Sequence, residues 1–373
     1  MNSKRFMPAF AAACAALTFA ACGASNEEPA ASGGNGADPA ATEAAAELSG
    51  NLAGAGASSQ EAAMQAWIAG FGEANPEATI SYDPVGSGGG REQFIAKGTA
   101  FGGTDSHLKE EELTGAQERC GGPDNLIEIP VYISPIAIIY NLEGVDTLNL
   151  SPETLAKIFK QEIKTWDDAA IKADNPDATL PSERITVVNR SDESGTTENF
   201  TEYLAAVAAD VWTDEVSGEW PIKGGEAASG TSGVVDAVKA GKGAIGYADA
   251  SQAGELGKAS VKVGEEFVAP TPEAAAKIVE ASQETDDPGA HVFTYDLARD
   301  TTEAGTYPIV LVSYLMACTQ YDDAAQGALV KGFVGYVVSP EGQQAAATNA
   351  GSAPISDAVR TKVQPAVDAI AAG

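Results

Sequence analysis

Positive charge is scarce in this chain. Its 373 residues carry 22 Lys and Arg against 53 Asp and Glu, a formal net charge of −31. A surface of that sign repels nucleic acid and anionic lipid headgroups, so nucleic acid is not an expected partner. Histidine is scarcer still, with His107 and His291 the whole supply. A serine nucleophile wants a histidine or lysine base, and no Gly-x-Ser-x-Gly elbow surrounds Ser194, which argues against a Ser/His/Asp triad. No His/Cys cluster has metal-ligand spacing and the acids are dispersed, so neither a metal nor another cofactor is expected. The glycine run Gly86–Gly90 is not followed by Gly-Lys-Ser/Thr, so it is not a phosphate loop of the NTPase type. Beyond the first 21 residues no apolar run approaches the roughly 20 residues of a membrane-spanning helix.

What is present is a globular composition, 44% hydrophobic and 20% charged, in a chain long enough for two domains with ordinary cores. The first 21 residues read as an address. Lys4 and Arg5 precede an apolar, alanine-rich stretch from Phe6, which ends in Phe19-Ala20-Ala21 just before Cys22. That pattern is similar to a bacterial lipoprotein signal, with Cys22 becoming the lipidated first residue and the membrane a partner through that lipid; Phe19 stands where leucine is usual. Removing residues 1–21 takes away Lys4 and Arg5 and no acid, which moves the net charge from −31 to −33. Residues 22–47 hold no aromatic or branched aliphatic side chain and read as a disordered tether of about 25–30 Å root-mean-square reach. Cys14 leaves with the signal, so Cys120 and Cys318 remain in an oxidising compartment, as a disulfide or as two buried thiols.

From Leu48 onward strand-like and helix-like segments alternate, which predicts an α/β fold. Three strand–turn–helix junctions stand out. In the first, Gly54-Ala55-Gly56-Ala57 leads to Ser58-Ser59, Ser58 and Glu61 have capping-box spacing, and Met64, Trp67, Ile68 and Phe71 form one apolar helix face. In the second, a strand ends at Gly86-Ser87-Gly88-Gly89-Gly90 and a helix is expected from about Arg91. In the third, the β-branched strand Arg184 to Asn189 runs through Arg190-Ser191-Asp192-Glu193-Ser194-Gly195 into a helix bearing Phe200, Leu204 and Val207 on one side. Helix N-termini offer unpaired N–H donors and about half a positive charge each, so three of them with nearby hydroxyls make an anion seat. Arg190 adds a fixed cation whose planar fork suits tetrahedral oxyanions, with Asp192 placed to hold it. Glu193 has no role in this reading and is left to solvent.

These residues carry a family resemblance. "GAGASS" at 54–59, "GSGGG" at 86–90, "AFGGTD" at 100–105, "KTWDDAAI" at 164–171, "LPSERITVVNRSDESGTT" at 180–197, "GAIGYAD" at 243–249 and "YPIV" at 307–310 occur in the order found in the phosphate-binding lipoproteins of bacterial phosphate ABC transporters. The chain resembles that family over nearly all of residues 48–373. The resemblance implies a two-lobed periplasmic-binding-protein fold of type II, with two crossover hinge strands and a ligand cleft between lobes. The chain would cross near Ile133 and near Thr306, giving one lobe of 48–133 plus 306–373 and another of 134–305. Cys120 and Cys318 would then share a lobe.

By motif, the resemblance implies that inorganic phosphate is held by Ser58, Ser59, Ser87, Asp105, Arg190, Ser194, Gly195 and Thr196, with Asp192 supporting the arginine. Asp105 carries a physical expectation. A carboxylate beside an anion is repulsive unless the ligand brings a proton to donate; phosphate at neutral pH does and sulfate does not. Two departures are visible: Ser58-Ser59-Gln60 replaces a common Thr-Phe-Pro, and Gly88 replaces a common second serine, removing a support rather than a ligand. The implied function is that of a monomeric, extracytoplasmic, lipid-anchored protein that delivers phosphate to the permease subunits of an ABC transporter and catalyses nothing. The competing readings are an exported phosphate-ester hydrolase and a phosphate-sensing surface lipoprotein.

Overall fold

The computed structural model describes residues 48–285 and 289–371; the expected signal at 1–21, Cys22 and the tether at 22–47 lie outside these residues. The apolar run expected from Ile127 forms the sixteen-residue strand Leu126–Asn141, and every residue but the last is buried. A strand buried on both faces needs cover on both, so its hydrophobic pattern is continuous and does not alternate. Its length, roughly 50 Å at about 3.3 Å per residue, lets it serve two neighbourhoods. From Leu126 to Pro135 it pairs antiparallel with strand Val310–Cys318. From Ile136 to Asn141 it pairs antiparallel with strand Ala244–Asp249.

The sheet is therefore mixed and has two wings. One wing runs Ala78–Asp83, Gly50–Gly56, Phe101–Thr104 and Val310–Cys318; the other runs Ala244–Asp249, Thr186–Arg190 and Glu226–Ala228. Within each wing the strands that precede the site are parallel neighbours. Parallel strands deliver their carboxyl ends to one side, which is where open α/β sheets place ligands. This is a two-lobed α/β architecture. Each wing has its own aromatic packing: Phe333 lies 5.5 Å from Phe71 and 5.4 Å from Phe101, and Phe200 lies 4.8 Å from both Phe159 and Tyr247. Among the described residues no helix is long and apolar enough to cross a membrane.

Two local expectations are corrected. The second helix is Ser87–Ile95, so Gly88, Gly89 and Gly90 are helical and do not form a loop before Arg91. The capping box at Ser58 and Glu61 does not form. Ser58–Gln60 is a 3-10 turn, the helix Glu61–Ala74 has no side-chain cap, and the Ser58 hydroxyl is engaged with Thr231. The apolar face is as expected, with Met64, Trp67 and Phe71 buried and Ile68 half-buried.

Cys120, the last residue of helix Glu110–Cys120, is bonded to Cys318 at the end of strand Val310–Cys318, with Cα atoms 5.3 Å apart. The bond closes 198 residues of chain. Loop-closure entropy for so long a loop puts its ceiling at about 5 kcal/mol.

Candidate functional site

Every residue expected to form the anion seat lies at the carboxyl end of a strand, where the two wings face each other. Ser58, Ser59, Ser87, Asp105, Arg190, Ser194 and Thr196 are each at most 3% exposed. Asp105, immediately after strand Phe101–Thr104, is the centre of the hydrogen bonding. Its Oδ1 accepts the hydroxyl of Ser59 at 2.6 Å and that of Ser313 at 2.6 Å. Its Oδ2 accepts the hydroxyl of Thr196 at 2.9 Å from the opposite wing. Its backbone N–H donates to the Ser87 Oγ at 3.2 Å, and its carbonyl accepts the Asn199 amide at 2.7 Å. A carboxylate offers about four acceptor positions, so three hydroxyls leave one.

Gly195 permits this approach. A Cβ there would lie 2.7 Å from Asp105 Cβ and 2.8 Å from Ser87 Oγ, so any side chain would push the helix Gly195–Val207 away from the acid. Ser194 caps that helix, its Oγ accepting the Thr197 N–H at 3.3 Å. That role satisfies one of the helix's unpaired donors and explains Ser194 without a nucleophile.

Arg190 ends strand Thr186–Arg190. Its N–H donates to the Tyr247 hydroxyl at 3.3 Å, which also bonds Thr197 Oγ1 at 2.7 Å and packs in the Phe159–Phe200–Trp220 cluster. The guanidinium forms a fork on Asp192, Nε to Oδ1 at 2.8 Å and Nη2 to Oδ2. Gly86 lies against the pair: a Cβ there would be 2.6 Å from Asp192 Oδ2 and 3.5 Å from Arg190 Nη2. Burial pushes the Asp192 carboxyl up, but the Arg190 bonds and charge, with the Gly230 N–H, hold it below its ordinary range. Arg190 Nη1 is buried and has no hydrogen-bond partner among the described residues. An orphaned buried donor on a cation is costly unless something accepts from it.

Three features were not anticipated. Ser313 is the small polar residue in the apolar run "IVLVSYLMA", and that interruption was the available signal. Thr231 ends a second Ser-Gly-Thr, at 229–231, that repeats the one at 194–196 and opens helix Gly230–Ala240. Glu193, left to solvent above, does not face it freely. Its carboxylate takes Arg91 Nη2 at 2.7 Å from the other wing, and its side chain is 34% exposed. Gly88 has a spatial role as well: a Cβ there would sit 1.4 Å from Glu193 Oε2, so a serine would displace this carboxylate.

A model of the PBP superfamily domain matches residues 41–341. Over 297 residues the chain is 38% identical to the phosphate-binding protein PstS 3 of Mycobacterium tuberculosis, covering 79% of each. It is 34% identical to the phosphate-binding protein PstS of Xylella fastidiosa, over 66% of each chain. Among solved structures, the high-affinity periplasmic phosphate-binding protein PfluDING, bound with phosphate, superposes with a TM-score of 0.71 at 25% identity, over 87% of this chain and 96% of that one.

Proposed function

This chain belongs to the PstS family of phosphate-binding proteins within the PBP superfamily, and from that premise we propose that it captures inorganic phosphate between its two lobes and delivers it to an ABC-type phosphate permease outside the cytoplasm. The observation that carries this reading is the pairing of opposites in one buried place. Arg190 keeps a donor with nothing among the described residues to accept it, and Asp105 keeps an acceptor position after taking hydroxyls from both wings. A fully deprotonated oxyanion satisfies the first and is repelled by the second. An oxyanion that still carries a proton satisfies both, which is the chemistry of hydrogen phosphate and not of sulfate.

In this reading the ion accepts from Arg190, from the hydroxyls of Ser58 and Ser87, and from backbone N–H groups at Ser59 and at the starts of the Ser87 and Gly195 helices, Thr196 among them, while the Ser59 and Thr196 hydroxyls stay on Asp105. Asp192 holds the frame, and Ser194, whose oxygen caps the Gly195 helix, keeps its hydrogen to donate to the ion. Lobes of 48–133 plus 306–373 and of 134–305 meet at the ion, so binding favours closure. Cys22 carries the lipid that keeps a monomer near its permease, and no reaction is catalysed. Calorimetry with phosphate, arsenate and sulfate across pH tests the reading: phosphate and arsenate bind and sulfate does not. Tight sulfate binding, or steady hydrolysis of a chromogenic phosphate ester by the pure protein, overturns it.

A further inference from the structure

The repeat of Ser-Gly-Thr at 229–231 brings a fourth junction to the seat. Strand Glu226–Ala228 ends, Ser229 turns the chain, and helix Gly230–Ala240 begins. Its first two residues reach two different parts of the site. The Gly230 N–H donates to Asp192 Oδ1 at 3.0 Å, bracing the carboxylate that orients Arg190. Thr231, 1% exposed, meets Ser58 on the opposite wing twice. Its N–H donates to Ser58 Oγ at 3.0 Å, and the two hydroxyl oxygens lie 3.0 Å apart. Gln252 fixes the same turn by donating to the Ser58 carbonyl at 2.7 Å.

Counting hydrogens decides what this contact does. A serine hydroxyl has one hydrogen and two lone pairs. The Thr231 N–H takes one lone pair of Ser58 and cannot reverse. Between the hydroxyls two arrangements exist. If Ser58 donates to Thr231, Ser58 has nothing to offer an anion. If Thr231 donates to Ser58, both Ser58 lone pairs are filled and its hydrogen points away from Thr231. An anion in the seat selects the second arrangement, because a hydrogen bond to a charged acceptor is roughly twice as strong as one between neutral hydroxyls. Donation from Thr231 then polarises the Ser58 O–H and strengthens its bond to the ion. The chain of bonds crosses from one wing to the other, so it exists only when they are together.

We propose that Thr231 is a positioning residue for the phosphate seat: through its hydroxyl it commits the Ser58 hydroxyl to donating to the bound ion and so couples ion retention to closure. The proposal rests on the phosphate reading above. Its test uses the folded chain with Thr231→Val, which keeps the N–H and the shape and removes the hydroxyl, and Thr231→Ser, which restores it; Thr231→Ala stands in if the valine chain does not fold. Phosphate affinity is measured by calorimetry and release by stopped-flow fluorescence, with Ser58→Ala and the Ser58→Ala/Thr231→Val double variant alongside. Losing one hydrogen bond in a chain that ends on a charge weakens binding roughly 5- to 30-fold. We expect that loss in Thr231→Val, mostly as faster release, near-recovery in Thr231→Ser, and little further loss in the double variant beyond Ser58→Ala. A Thr231→Val chain within twofold of the parent, or single effects that multiply in the double variant, overturns the proposal. A parent chain that binds no phosphate defeats the functional reading instead, so the two failures are distinguishable.

Discussion

Arg190 in the seat and Arg91 at its rim are both buried at the junction of the wings, and they are wired in opposite ways. Arg91 is complete. Its Nε reaches Glu112 at 2.7 Å, its Nη1 reaches Thr104 at 2.9 Å and Ser106 at 3.3 Å, and its Nη2 reaches across to Glu193 at 2.7 Å. Lys109 and Glu198 make a second ion pair across the same junction. Arg190 is incomplete. Both of its fork bonds go to Asp192, two residues along, and Nη1 has no partner among the described residues. The rim joins the wings by ion pairs whose groups are complete, whereas the seat, besides its own hydroxyl bonds across the junction, holds groups that only a third party can satisfy. Both regions hold the wings together, but the unsatisfied groups that can read an ion are Arg190 and Asp105 in the seat.

The largest expected effect breaks the seat. Arg190→Ala removes its cation and strands Asp192, and truncating one side of a buried charge pair costs about 2–5 kcal/mol. Phosphate affinity measured by calorimetry should fall about 30-fold or more, by more than in Ser87→Ala, which removes one neutral hydroxyl. A loss under tenfold would mean that the helix N-termini alone hold the ion.

The next effect concerns another incomplete group. Asp249 Oδ1 accepts from the Tyr132 hydroxyl at 3.1 Å and the Ser251 N–H at 2.9 Å, while Oδ2 is buried without a partner among the described residues. Burial pushes its carboxyl up from 3.8 to about 6, against the pull of the Ser251 hydroxyl and N–H, and nearby Asp105 adds to the rise. Between those values the folded chain binds more protons than the unfolded one. This group's contribution is therefore full below about pH 4 and is lost as pH rises through about 6. Asp249→Asn keeps the acceptor and removes the charge. In urea titrations without phosphate, the parent's loss of stability from pH 4 to 7 should flatten by up to about 3 kcal/mol. An unchanged slope would place the proton elsewhere.

Asp105→Asn probes selectivity directly. It replaces the acceptor that repels sulfate with an amide that can donate, so sulfate should bind within about tenfold of phosphate, one unfavourable contact being worth about 1–3 kcal/mol. Selectivity unchanged by the substitution would remove Asp105 from the discrimination.

Much of the seat was legible because strand–turn–helix junctions are local. Glycine, serine and threonine at a helix start announce unpaired N–H groups, and Arg190 with Asp192 two residues on is a pair written into three residues of chain. The rim was not legible. Arg91 and Glu193 are 102 residues apart, and nothing near either one announces the other. Glu193 read as a solvated charge because its partner arrives through tertiary packing. Gly88 read as a missing support because the carboxylate that occupies the space beside it comes from the other wing. Ser58 misled for the same reason: its spacing to Glu61 fits a cap, but a bond to Thr231, 173 residues away, takes its hydroxyl. The long strand Leu126–Asn141 was visible as an apolar run, while its change of partner after Pro135 depends on which strands flank it.

The smallest expected effect tests the rim. Glu193→Gln keeps the side chain's volume beside Gly88 and removes its charge, while Arg91 retains Glu112, Thr104 and Ser106. The Glu193 side chain is about one-third exposed, so solvent screens the pair and its worth is about 1 kcal/mol. A contact made across the junction stabilises the closed form, and loss of that stabilisation appears in release before association. Stopped-flow measurements should show phosphate leaving about fivefold faster from Glu193→Gln with the association rate little changed, since 1.4 kcal/mol is about tenfold. Raising the salt to about 1 M shortens the screening length to about 3 Å and should bring parent and variant together. Selectivity against sulfate should not move at all, because Asp105 and Arg190 are intact. If the substitution instead alters selectivity and leaves release unchanged, the division between a self-sufficient rim and an incomplete seat fails, and Glu193 belongs with the residues that read the ion.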